Sequence, residues 1–326
     1  MKVTVAGAGA WGTALAALLR GAGHSVTLWG HTPAHLAEIE QAQENKRYLA
    51  GVKLPPGIEF TPDFKRACSE VECIVIAVPS RAIREVTRTL NDFTGLLVSV
   101  TKGIEYESGA TMSTILAENA PNARIGALSG PTLAFEVARN IPAAIVAASD
   151  TVEVAEAIQN LFHSRTFRVY TSTDLPGVEL GGALKNVIAI GAGVCDGLGF
   201  GDNSKAALIT RAIVEIRRLG VACSANADTF SGLSGLGDLT VTCFSKLSRN
   251  RAFGERLGHG ESLDTVLNST ESIAEGYPTA RSAFHLAHKL QVSTPIIDEV
   301  YAMLFESKDI AMAVRDLTCR DSKSET

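Results

Sequence analysis

Val3-Thr4-Val5-Ala6 runs straight into Gly7-Ala8-Gly9-Ala10-Trp11-Gly12, and these into the Ala/Leu-rich stretch Thr13 to Leu19. A β-branched run, three glycines spaced G-x-G-x-x-G and a helix-forming segment stand here in the order that a phosphate cradle needs. The first glycine permits a tight turn, the second lets a pyrophosphate approach the backbone, and the third brings helix against strand. The anion then sits at the helix N-terminus, whose N–H groups have no partner within the helix. Gly7, Gly9 and Gly12 are the candidate dinucleotide-binding residues that follow.

Working outward, Val26 to Trp29, Cys73 to Val78, Leu96 to Val100, Ile125 to Leu128, Ala143 to Ala147 and Phe167 to Tyr170 are further short strand-like runs, separated by helical stretches. Several lack polar alternation, as expected of strands buried on both faces of a parallel sheet. Thr173 to Gly177 gathers Asp, Pro and Gly and reads as a linker. Beyond it only Pro278 and Pro295 occur and the apolar spacing is helical, as from Ala206 to Ile216. The expectation is an α/β chain, with an N-terminal Rossmann-type, mostly parallel sheet in 1–177 and an all-helical domain in 178–326. A chain of 326 residues is also near the length of two ordinary domains.

Composition narrows the function classes. With 46% hydrophobic and 20% charged residues the chain has ample material for a core, and its formal charge of −5 gives no pull toward nucleic acid or an anionic membrane surface. Met1-Lys2-Val3-Thr4-Val5 has none of the regions of a signal peptide. Leu180 to Asn203 is apolar but is broken by Lys185, Asp196 and Asp202, which suits a buried helix better than a membrane span. A cytoplasmic protein without membrane insertion is expected. The six cysteines show no paired metal-ligand spacing, and neither a metal site nor a disulfide framework is expected.

Three places invite chemistry. The second strand ends Leu28-Trp29-Gly30-His31-Thr32 without the carboxylate that would favour NADH and repel a 2′-phosphate. The cofactor expectation is therefore NADPH or NADH, with His31 either a donor to that phosphate or a surface histidine. Lys185 lies inside Leu180-Gly181-Gly182-Ala183-Leu184-Lys185-Asn186-Val187-Ile188 with no counter-charge nearby in sequence. A buried lysine can act as the acid in carbonyl reduction, although a packed stem with its head in solvent fits the same segment. Gly235-Leu236-Gly237-Asp238-Leu239-Thr240 leads to Ser248-Arg249-Asn250, a donor cluster suited to an oxyanion or, alternatively, a Ser-capped helix start with a solvated Arg.

The stretches GAGAWGTALA, TKGIE, SGPTLAFEV, GGALKN, GDNSKAALITR, GLSGLGDL, SRN and AEG, taken together and in this order from Gly7 to Gly276, resemble the bacterial-type NAD(P)-dependent glycerol-3-phosphate dehydrogenases. The resemblance implies hydride transfer between NAD(P)H and dihydroxyacetone phosphate, giving sn-glycerol 3-phosphate for phospholipid synthesis. It implies Lys185 as proton donor and acceptor. It also implies Lys102, Gly130, Thr132, Lys185, Asp238, Ser248, Arg249 and Asn250 at the substrate, and Trp11, His31, Lys102, Ala134, Arg249, Ile273 and Glu275 at the cofactor. Ala10 stands in the glycine loop where the family often has Ser or Asn, and Ala212 departs from the family's TRG; neither removes a proposed catalytic group. The competing readings are a ketopantoate-reductase-like or hydroxyacid dehydrogenase, in which Arg binds a carboxylate, and a non-catalytic NADPH sensor that has no use for Lys185. Asp202, Asn203, Lys205 and Arg211 are read as a cap and salt-bridged face. His285 and His288 are read as helix residues. A homodimer is expected through the helical domain.

Overall fold

The computed structural model describes residues 1–269 and 274–319. The chain divides into two compact units, one of Met1–Lys102 with Ala110–Glu179, the other of Gly103–Gly109 with Leu180–Thr326.

The first unit holds one eight-stranded sheet. Its strands are β1 (Lys2–Ala6), β2 (Ser25–Trp29), β3 (Ile58–Thr61), β4 (Cys73–Ile76), β5 (Leu96–Ser99), β6 (Arg124–Ser129), β7 (Ala143–Ala148) and β8 (Phe167–Ser172). The spatial order is β3-β2-β1-β4-β5-β6-β7-β8, parallel throughout except for the antiparallel β6 and β7 pair. Its first six strands follow the doubly wound order, whose reversal between β1 and β4 is where such sheets take a ligand beyond their carboxyl ends. β1, β4 and β5 bury both faces. Val3, Val5, Cys73, Val75, Leu96 and Val98 pack into one core with Leu15 and Leu19 of the Ala10–Gly21 helix. The intervening Ala6, Ile74, Ile76 and Leu97 pack into a second core with Ile115 and Leu116. Strand periodicity of two thus sorts one run of apolar residues into two layers.

β3 was not among the expected strands. Ile58-Glu59-Phe60-Thr61 is only four residues long, has exposed Glu59 and half-buried Phe60 between buried Ile58 and Thr61, and lies at the sheet edge, so it lacks the continuous apolar signature of the interior. The expected linker also needs correction. Asp174 Oδ1 accepts the Gly177 N–H at 3.1 Å, so Asp174 caps a helix, Leu175–Gly197, whose first turn is Leu175, Pro176 and Gly177. Proline is tolerated there because first-turn N–H groups have no intrahelical acceptor.

The second unit is helical: Asp202–Ala222, Asp238–Phe244, Arg249–Gly258, Leu263–Asn268, Gly276–Lys289, Pro295–Phe305 and Ile310–Thr318 surround the Leu175–Gly197 helix from Leu180 onward. That central helix is buried without a break from Gly177 to Val194. It is long and apolar enough to cross a membrane by length and composition, yet 89% of its most apolar window is buried inside the protein. It crosses the Arg249–Gly258 helix at backbone contact. A Cβ added to Gly193 would strike Arg251 O, and one on Gly254 would strike Ile190 O. At one edge Asp196 accepts from Lys205 and Arg251, each at 2.5 Å, and Arg251 also bonds Glu255 at 3.0 Å. Burial pushes the Asp196 carboxyl up, but its hydrogen bonds from the two cations outweigh this and hold it below the usual range.

Candidate active site

In the first unit the candidate residues gather at the carboxyl ends of the strands. Gly7 follows β1 with φ +129°, a conformation open to glycine, and a Cβ there would lie 2.5 Å from Ala77 O, just past β4. Gly12 sits so close to the turn that a Cβ would collide with Gly7 O. Gly9 is different: an added Cβ meets nothing within 4 Å, so the outer side of the turn is open. Gly9 is also the N-cap residue of the Ala10–Gly21 helix, with no side chain to satisfy the first-turn N–H groups. Ala10 and Trp11 lie in that turn. The Trp11 indole N–H is buried and has no acceptor among the described residues, although a buried Trp N–H ordinarily finds one.

His31 stands exposed just past β2 and Gly30. Lys102, which follows β5, donates from Nζ to Gly130 O at 3.0 Å, and the Thr132 hydroxyl donates to the same carbonyl at 3.1 Å. Gly130 leaves β6 with φ +152°, and Ala134 opens the Ala134–Ala138 helix. Hydrogen bonds therefore bring Lys102, Gly130 and Thr132 together.

In the second unit Lys185 lies midway along the buried central helix, with its side chain only 8% exposed, and Asp238 opposite it is 1% exposed. The Lys185 ammonium donates to Asp238 Oδ1 and, at 2.7 Å, to Thr242 Oγ1. Thr242 in turn donates to Asp238 O at 2.6 Å. Asp238 reaches this place because Leu233–Gly237 winds as a wide π-helical turn, with Gly237 N–H on Gly232 O at 3.1 Å, just before the Asp238–Phe244 helix. The turn fits against the central helix at Gly181, where a Cβ would stand 2.6 Å from Ser234 O. Counter-charge for the lysine thus comes from 53 positions along the chain.

Next to Lys185, Asn186 Oδ1 accepts from Asn250 Nδ2 at 2.8 Å, and Asn250 Oδ1 accepts the Gly276 N–H at 2.9 Å. Ser248 Oγ caps the Arg249–Gly258 helix by accepting the Arg251 N–H at 3.2 Å. Ser248 and Asn250 are buried, whereas Arg249 presents exposed surface. Desolvation by the surrounding protein draws the Arg249 guanidinium below its ordinary pKa, and the Glu275 carboxylate opposes that shift. Glu275 immediately precedes the Gly276–Lys289 helix. Ile273, also expected at the cofactor, lies outside the described residues.

Thr242 was not singled out from sequence, and Asn186 entered only as the neighbour of Lys185 in GGALKN, with no role of its own. Thr242 stands four residues after Asp238 on one helical face, a spacing that could have flagged it. Lys205 is paired with Asp196, as a salt-bridged face would have it. Among the described residues no three His, Cys, Asp or Glu side chains gather as metal ligands. His288 instead lies against Phe284, ring centroids 4.0 Å apart.

The two family models that match the chain describe the two halves of one family. Residues 2–155 match the model of the NAD-dependent glycerol-3-phosphate dehydrogenase N-terminus, and residues 174–315 match that of the C-terminus. A glycerol-3-phosphate dehydrogenase [NAD(P)+] of Chlorobium luteolum is 47% identical over 100% of this chain and 99% of its own. One from Pelotomaculum thermopropionicum is 48% identical over 99% and 95%. The crystal structure of glycerol-3-phosphate dehydrogenase from Coxiella burnetii superposes with a TM-score of 0.94 at 35% identity, covering 98% of this chain and 99% of that one.

Proposed function

This chain belongs to the NAD-dependent glycerol-3-phosphate dehydrogenase family and is an NAD(P)-dependent oxidoreductase of that activity, and from that premise we propose how its residues divide the reaction. The unit of Met1–Lys102 and Ala110–Glu179 serves as the dinucleotide domain, and that of Gly103–Gly109 and Leu180–Thr326 as the substrate and catalytic domain, in place of the expected division at residue 177. The substrate pair is dihydroxyacetone phosphate and sn-glycerol 3-phosphate, and the product serves phospholipid synthesis in the cytoplasm. When bound, the nicotinamide supplies the hydride for the carbonyl carbon or accepts it in the reverse direction.

The glycine turn suits that cofactor. Its outer side is open at Gly9, and Trp11 carries a buried N–H with no acceptor in the described protein. Gly9, Ala10, Trp11 and Gly12 would hold the pyrophosphate on the amides that open the helix, and Gly7, whose own N–H goes to Trp29 O at 2.9 Å, would turn the chain beneath it. His31, Lys102, Ala134, Arg249, Ile273 and Glu275 complete the cofactor set.

Lys185 carries the proton. The observation behind this assignment is a buried ammonium held by two side chains, Asp238 and Thr242, that fix its nitrogen in position. In reduction the Lys185 ammonium gives a proton to the ketone oxygen and becomes an amine; in oxidation the amine takes the hydroxyl proton back. Asp238 offsets the positive charge inside a low-dielectric core. Arg249 and the first-turn amides of its helix take the phosphate, with Ser248 and Asn250 as further substrate residues of the helical unit; Lys102, Gly130 and Thr132 are the substrate residues assigned to the first unit. A homodimer belongs to the same reading, since Leu236, Phe244 and Leu247 are exposed apolar side chains of the helical unit that a second copy would cover.

The test is oxidation of NADPH and of NADH by the purified enzyme with dihydroxyacetone phosphate, and with dihydroxyacetone in place of it. The phosphorylated ketone should be favoured in kcat/KM by about a hundredfold or more, because the phosphate contacts contribute nothing for the other. Equal rates for the two ketones would refute the assignment. Replacing Lys185→Met together with Asp238→Asn, which avoids stranding a buried carboxylate, should lower kcat by about 100- to 10,000-fold and leave cofactor binding intact.

A further inference from the structure

The turn that follows β1 is held from behind by a residue that none of the glycine spacing points to. Asn45 is wholly buried. It lies in the connection between the Pro33–Ala42 helix and β3. Its Nδ2 donates to Ala8 O at 3.0 Å and to Thr13 Oγ1 at 2.8 Å, while its Oδ1 accepts the Tyr48 N–H at 3.2 Å. Ala8 O can only accept, so the amide orientation is fixed by chemistry: the nitrogen faces the turn. His35 Nε2 stands 3.3 Å from the same carbonyl and donates to it in the tautomer protonated there.

We propose that Asn45 is a positioning residue for dinucleotide binding, orienting the Ala8–Gly9 peptide so that its N–H is presented to the pyrophosphate. A trans peptide points its C=O and N–H in opposite directions. Drawing Ala8 O toward Asn45 and His35 therefore turns the Gly9 N–H the other way, at a residue whose outer side is open. The second Nδ2 hydrogen ties in Thr13, whose own N–H donates to Gly9 O at 2.9 Å. One side-chain amide thus brackets residues 9 to 12, the segment whose unpaired amides meet the anion. With the carbonyl released, the peptide could rotate and set an oxygen against a phosphate oxygen, a repulsive arrangement at a site built from donors. An aspartate at 45 would do worse, placing acceptors against Ala8 O and a negative charge behind the anion.

This inference rests on the reading of the glycine turn as the cofactor site, and the experiment separates the two. Cofactor affinity is read by NADPH fluorescence titration, and ADP-ribose, which carries the pyrophosphate without the nicotinamide, is used as a competitive inhibitor. Asn45→Ala should weaken NADPH and ADP-ribose together by about tenfold, and Asn45→Asp by about a hundredfold, with kcat at saturating NADPH and KM for the ketone within about twofold of the parent. Thr13→Val, which keeps the side-chain shape and removes one of the two acceptors, should cost about threefold and serves if either Asn45 variant folds poorly. Parent-like affinity in the folded variants, or a loss of kcat equal to the loss of affinity, overturns the proposal. Gly9→Val is the control, because it fills the open side of the turn directly; parent-like binding by that variant would overturn both the glycine-turn reading and the role of Asn45.

Discussion

His31 follows Gly30 at the end of β2, where an acidic side chain would meet the ribose hydroxyls of NAD. His31→Asp places that charge where the 2′-phosphate of NADPH would lie. It should lower kcat/KM for NADPH by at least about tenfold relative to NADH, measured as the ratio of the two under identical ketone concentrations. An unchanged ratio would show that residue 31 does not meet the phosphate. At this scale the sequence was legible where chemistry depends on neighbours along the chain: the glycines of the turn, and a lysine stranded in an apolar run. It was silent on partners chosen by tertiary contact. Nothing near Lys185 announces Asp238, because the pairing depends on the π-helical turn that delivers the carboxylate. The string Ser248-Arg249-Asn250 did offer Ser248 as a helix cap, which it is, but it does not reveal that Asn250 spends its amide on Asn186 and Gly276.

Gly193 and Gly254 decide how two helices meet. In an isolated helix Gly→Ala is worth about 1 kcal/mol of stabilisation, so Gly254→Ala would be favourable if only its own helix counted. Its Cβ would instead collide with the carbonyl of Ile190, a backbone atom that cannot rotate away. Separating the helices should dominate, with a net loss of about 2–3 kcal/mol and a Tm lower by about 5–10 °C. Calorimetry of the purified chain checks this, and a Tm equal to or above the parent's would mean that the crossing relaxes freely. Elements of this kind were readable from periodicity when they were long or wholly buried, as with β4, β5 and the helix around Lys185. β3 escaped because a four-residue edge strand with a charged residue in it looks like a loop between turns. The antiparallel return of β7 has no local signature either, since strand direction is set by what the intervening segment packs on.

Glu215 couples the whole molecule's stability to pH. It accepts the Ile296 N–H at 3.0 Å, where the Pro295–Phe305 helix begins, and also the Ile297 N–H at 3.4 Å. Burial pushes its carboxyl from the ordinary 4.5 up to about 7, outweighing the backbone hydrogen bonds that favour the carboxylate. The folded chain therefore keeps a proton that the unfolded chain has released. Its contribution is complete below about pH 4.5 and is lost as pH rises through about 7. Glu215→Gln, a mimic of the neutral acid, should match the parent in urea unfolding at about pH 4 and exceed it by up to about 3 kcal/mol at about pH 8. A gap that does not widen with pH would contradict this. The two-unit plan itself was visible in the change from alternating strands to helical spacing. One part of it was not: Gly103–Gly109 belongs with the helices. Within that unit Ile104 O takes the Ser282 hydroxyl at 3.0 Å, and Tyr106 lies 4.2 Å from the Arg281 guanidinium and 5.5 Å from the His285 ring. The halves of this protein are consequently not interchangeable modules. A gene fusion that exchanged everything before residue 180 for another nucleotide-binding half would carry away Ile104, a piece of the helical core, together with its bond from Ser282.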